Sequence, residues 1–120
     1  MSLNIRNYNE SRPIIRGYGA VILEVAGAET GLANLGLCKV EMKAGSKSPL
    51  HFHKIMSEIY LIAEGSGSIT IGETTSKVGP GDCVSIPPGM VHAIENVGPG
   101  TLSFFAVTSP SFIEADCVDI

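Results

Sequence analysis

Glycine and proline cut this chain into pieces too short for long helices. Gly27, Gly31, Gly45, Gly65-Ser66-Gly67, Gly72, Gly79-Pro80-Gly81, Pro87-Pro88-Gly89 and Gly98-Pro99-Gly100 punctuate it from end to end. Between them lie short runs rich in β-branched residues, and no run keeps a helical period. The expected strands are Ala20–Val25, Leu35–Met42, Ser57–Glu64, Ser68–Ile71, Cys83–Ile86, His92–Glu95 and Leu102–Thr108. Many short strands at such spacing predict an all-β sandwich or barrel. A single helical turn is expected within Ser111–Val118, and the first nineteen residues form an arm able to pair with a sheet edge. The 120 residues contain no repeat, linker or low-complexity tract, so residues 1–120 are read as one domain.

Composition narrows the partners. A net charge of −4 offers no basic footprint for nucleic acid. No stretch approaches the roughly 18–20 apolar residues of a membrane-spanning helix, and the first residues contain no apolar signal core. Cys38, Cys83 and Cys117 are odd in number and lack CxxC spacing, which argues against a disulfide framework or a cysteine zinc site. Cys38 and Cys83 are expected in the core. These features lead us to expect a cytoplasmic chain.

The chemistry is concentrated in few residues. In Ser57–Glu64 the strand period puts Glu58, Tyr60 and Ile62 on one face and Ile59, Leu61 and Ala63 on the other. Both faces are largely apolar, as expected of a strand between a barrel interior and a second packed layer. A carboxylate facing an apolar interior needs a charged partner or a metal. The chain has three histidines. His51 and His53 alternate, so an extended backbone points both rings to one side, and Glu58 follows on the next strand. His92 comes just after the Pro87-Pro88-Gly89 turn. Three imidazoles and a carboxylate suit one divalent transition metal: Fe, Mn, Ni, Co or Zn. The competing reading makes each histidine a surface residue or a hydrogen-bonded core residue.

Gly45-(x5)-His51-x-His53-(x4)-Glu58-(x6)-Gly65 resembles the first sequence motif of the cupin superfamily at every fixed position. Gly81-(x5)-Pro87-x-Gly89-(x2)-His92-(x3)-Asn96 resembles the second, and the spacer Ser66–Pro80 has the length seen in small bacterial cupins. The resemblance spans residues 45–65 and 81–96. It implies a double-stranded β-helix, or jelly-roll, barrel with metal ligands at His51, His53, Glu58 and His92, and it points to a homodimer. The stretch from Ser57 to Asn96 is similar to small cupins grouped with mannose-6-phosphate isomerase-like proteins. The motif glycines are expected in turns that need positive φ. Asp82 should close its turn, and Asn96 should satisfy local backbone groups.

Family members with this ligand set include dioxygenases, decarboxylases, isomerases and epimerases. The resemblance therefore implies a metal-dependent enzyme acting on a small organic molecule, of unresolved reaction class. The alternative is a non-catalytic ligand-binding or sensor module. Catalytic residues beyond the metal ligands are not identifiable. Tyr60, Met42, Met90 and Phe104 are candidate pocket liners, with Ile71 and Ile94 beside them. No Arg or Lys adjoins a ligand in sequence, which disfavours a strongly acidic substrate.

Overall fold

The structure is a computed structural model and describes residues 3–120. It holds eleven strands: β1 (Pro13–Arg16), β2 (Ala20–Ala26), β3 (Gly36–Met42), β4 (His51–His53), β5 (Ser57–Glu64), β6 (Gly67–Ile71), β7 (Thr74–Val78), β8 (Cys83–Ile86), β9 (His92–Asn96), β10 (Leu102–Ser109) and β11 (Cys117–Asp119). The only helical segments among the described residues are short 3-10 turns at Tyr8–Glu10, Ala28–Thr30 and Glu114–Asp116. The seven strands expected from sequence are present, with ends shifted by at most one residue. Four more are added by pairing: β1, β4, β7 and β11. Of the N-terminal arm, Pro13–Arg16 pairs with a sheet edge, as β1 antiparallel to β2 of its own barrel rather than of a neighbouring one.

The strands form two antiparallel sheets, ordered β1-β2-β3-β10-β5-β8 and β11-β4-β9-β6-β7. This is the jelly-roll architecture. Inward residues of the larger sheet line up across strands. Thr108 on β10 stands beside Glu58 on β5, Ala106 beside Tyr60, and Phe104 beside Ile62. Ala106, Tyr60, Phe104 and Ile62, with Met42, Val40 and Cys38 of β3, form the core against Ile69 and Ile94 of the smaller sheet.

Two expectations fail here. The outer face of β5 is not packed under another layer: Ile59 and Leu61 are 41% and 44% exposed. A strand in a two-sheet barrel meets protein on one side only, so its second apolar face is left to solvent or to another molecule. Cys38 is buried, but Cys83 is exposed because it shares that outer side, opposite Leu61.

Turn chemistry behaves as expected. Gly45, Gly65, Gly81 and Gly89 all have φ between +81° and +90°. Gly65 has a second constraint, because a Cβ there would lie 2.4 Å from the Thr101 carbonyl oxygen. Asp82 accepts the Gly79 N–H at 2.7 Å. The Asn96 amide donates to the Met42 and Gly100 carbonyls and accepts from the Gly98 N–H.

Candidate metal centre

His51 and His53 come from β4, a strand of only three residues. It is held on one side by β9, where His51 pairs with His92, and on the other by β11, where Cys117 pairs with His53. The Gly89 N–H donates to the His53 carbonyl at 2.7 Å, tying the proline-rich turn to the same strand. Extended backbone then sends both β4 imidazoles inward, as the alternation requires. The side-chain donor atoms of His51, His53 and His92 all lie within 4.8 Å of one another. Ring centroids are 4.1 Å apart for His51 and His92 and 5.3 Å for the other two pairs.

Glu58 reaches this cluster from the opposite sheet. Its Oε1 is 2.8 Å from His53 Nε2 and 3.4 Å from His92 Nε2, while the carboxylate is only 7% exposed. Yet His53 Nε2, His92 Nε2 and Glu58 Oε1 are all buried without a well-directed hydrogen bond. Atoms this close that do not bond to one another are aimed at a shared point. Such orphaned polar groups are rare in native interiors and ask for an occupant. A divalent cation is the occupant that fits nitrogen and carboxylate donors together.

The far sides of the rings are prepared for this. His51 Nδ1 lies 2.8 Å from the Pro49 carbonyl and His92 Nδ1 lies 2.9 Å from the Met90 carbonyl. A carbonyl only accepts, so both Nδ1 atoms carry the proton and both Nε2 lone pairs face inward. In the metal-free protein, burial works to raise the Glu58 pKa, but the neighbouring His53 and His92 imidazoles outweigh it and keep the carboxylate ionised. Burial works to lower the His53 pKa, but Cys117 and Glu58 outweigh it and the net shift is upward. Burial lowers the pKa of His51 despite its Pro49 contact.

Asp116 is part of the site's frame and has no signature in the sequence. It ends the C-terminal 3-10 turn and is 5% exposed. Its carboxylate accepts the backbone N–H groups of Lys54, Ile55 and Met56 at 2.9–3.1 Å. These are the residues joining His53 to Glu58. Burial pushes the Asp116 pKa up, but the N–H groups of Met56, Ile55 and Lys54 win and the net shift is downward.

A cavity of about 80 Å³ lies against the cluster, lined by Met42, Tyr60, Phe104 and Thr108 among others. Tyr60 packs on Phe104 with centroids 4.6 Å apart, and burial above all raises its phenol pKa well above the usual value. Ile94 also lines the cavity, whereas Met90 and Ile71 do not. Met90 is 39% exposed: it belongs to the turn before β9, and its carbonyl rather than its side chain serves the site. Thr108 was missed from sequence. Its Oγ1 is a second kind of orphan, buried in the cavity wall without a partner. The absence of basic residues near the ligands in sequence also misleads, because Arg16 of β1 lines the same cavity.

A protein-family model, described as "Cupin domain", matches residues 38–108, more than half of the chain. The chain is a cupin. Uncharacterized protein MJ1618 of Methanocaldococcus jannaschii is 32% identical to this cupin over 115 residues, covering 91% of this chain and 88% of that one. Mannose-1-phosphate guanylyltransferase RfbM of Salmonella typhimurium is 27% identical over 114 residues, and the match spans 23% of its length. Among solved structures, oxalate decarboxylase of Bacillus subtilis superposes with a TM-score of 0.86 at 23% identity, covering 100% of this chain and 33% of that chain. Pac13, a nucleoside dehydratase from Streptomyces, gives 0.82 at 16% identity, covering 99% and 92%. At these identities the two structures establish the shared barrel. No described helix of this cupin is long and apolar enough to cross a membrane.

Proposed function

We propose that this cupin is a metal-dependent enzyme acting on a small organic molecule. One first-row divalent metal is held by His51, His53, Glu58 and His92. The observation that carries this reading is the set of buried, unbonded atoms of His53, His92 and Glu58 converging from two sheets. When bound, the metal supplies Lewis acidity and a template for an oxygen-bearing substrate. The chain's own residues orient and enclose. Pro49 and Met90 carbonyls fix two rings, and Tyr60 and Phe104 exclude water from one wall. The unpartnered Thr108 hydroxyl offers a hydrogen bond to the substrate.

Solved neighbours of the same barrel include a decarboxylase and a dehydratase, which supports catalysis without choosing the reaction. The exposed Ile59 and Leu61 support a homodimer formed across the outer face of the larger sheet.

The test is metal analysis of purified protein beside His51→Ala and His92→Ala. The expected result is close to one metal per chain, lost in both variants. Equal metal content in all three would overturn the reading. An oxygen-uptake and product screen with catechols, thiols, diketones and hydroxy acids then separates the oxygenase class from non-oxidative chemistry.

A further inference from the structure

The cavity opens outward into a vestibule of about 400 Å³ lined by Arg16, Gly17, Tyr18, Pro49, His51, Glu114, Cys117 and Asp119. Arg16, Tyr18, His51 and Cys117 line both spaces, so they form the neck between the histidine cluster and solvent. Arg16 is the one Lys or Arg among the described residues lining either space.

Its guanidinium is engaged on one edge only. Nη1 donates to Glu114 Oε1 and Nη2 to Glu114 Oε2, both at 2.7 Å. A guanidinium carries five N–H donors, and a carboxylate gripped by both terminal nitrogens takes one from each. The second fork, formed by Nε and the adjacent Nη, has no partner among the described residues. Its geometry matches a second carboxylate. Glu114 keeps 57% of its side chain exposed, so the pair stands at the surface, where such ion pairs contribute little and exchange readily.

We propose that Arg16 is the recognition residue of this site and takes the carboxylate of a small organic acid. The other end of that acid reaches His51 and the cluster behind it. This rests on the metal-centre reading above and names its substrate class. The vestibule already carries two carboxyl groups, Glu114 and Asp119, against one guanidinium. One guanidinium against two carboxylates leaves the vestibule net negative, which opposes a doubly charged phosphate more strongly than a singly charged carboxylate. Glu114 holds the guanidinium at the neck by its Nη edge, leaves the other edge to the incoming acid, and competes with that acid for the same positive charge.

The test uses metal-loaded protein and two pairs of probes. Each pair has the same hydroxy-acid head and differs in a distal carboxylate: 2-hydroxyglutarate with 2-hydroxyvalerate, and 2-hydroxysuccinate with 2-hydroxybutyrate. Calorimetry gives the affinity ratio within each pair. In wild type the better-fitting diacid should bind about tenfold tighter than its partner, the scale of one charge-assisted fork. In Arg16→Gln the ratio should fall to about one, and in Arg16→Lys it should be intermediate, because charge remains without the fork. In Glu114→Gln the ratio should rise, since the competitor is weakened. A purely structural ion pair predicts the same direction for both partners, so a falling ratio in Glu114→Gln overturns the proposal. So does an unchanged ratio in Arg16→Gln. Equal binding of diacid and monoacid by wild type, or failure of every acid to bind, overturns this inference alone, whereas the metal-centre reading falls only if the wild-type protein cannot be loaded with metal.

Discussion

Replacing Asp116 with alanine tests whether the C-terminal segment holds the loop after β4, the strand of His51 and His53, in place. The substitution removes the acceptor of three backbone N–H groups. The Met56 N–H lies in a fully buried setting, and leaving it unsatisfied costs about 1–3 kcal/mol. The N–H groups of Lys54 and Ile55 are partly exposed and can recruit water, at a cost of about 0.5–1 kcal/mol each. The total is about 3 kcal/mol. For a domain of this size that corresponds to a melting temperature lower by about 10 °C. Calorimetric melts at pH 7 of Asp116→Ala, with the exposed Asp119→Ala as reference, measure it. A loss under about 2 °C relative to that reference would refute the argument.

The effect should depend on pH. Asp116 has a folded pKa below its unfolded value of about 3.9. Its contribution is therefore complete above that unfolded value and disappears as pH falls through the folded one. The gap between wild type and Asp116→Asn should accordingly be full at neutral pH and shrink below about pH 4. Because Lys54–Met56 join two candidate ligands, Asp116→Ala should also weaken metal affinity, by about 10–100-fold.

Glu58→Gln should weaken metal binding while leaving the metal-free protein no less stable than metal-free wild type; chelator-treated melts of both proteins check this, and a wild-type melting temperature indifferent to chelator would count against the metal centre. Gly65→Ala should destabilise by about 2 kcal/mol or more, because Cβ meets the Thr101 carbonyl at positive φ; denaturant titration reads it. Leu61→Lys on the outer sheet face should convert a dimer to monomer by light scattering, and a wild-type monomer at micromolar concentration would refute the dimer.

How much of this was legible in the residues follows from the range of each interaction. Strand positions, turn glycines and the inward phase of His51, His53 and Glu58 are local properties. A period of two and the conformational freedom of glycine express them within a few residues, so they stand in the sequence much as they stand in the fold. The strands β4, β7 and β11 carried weak local signals because partners define them: β4 is three residues long and exists between β9 and β11. Met90 was misplaced because sequence shows a residue near His92 but not which of its atoms turns inward. Arg16 and Thr108 entered the site from residues 35 positions before His51 and 16 after His92, a proximity that only sheet pairing creates. Asp116 is the clearest case. Nothing in a lone acidic residue announces that it will accept three N–H groups some 60 residues away. Sequence determined which residues could bind a metal, since ligand chemistry and phase are local. Closure of the two sheets decided which other residues share the cavity, since long-range pairing depends on the whole chain.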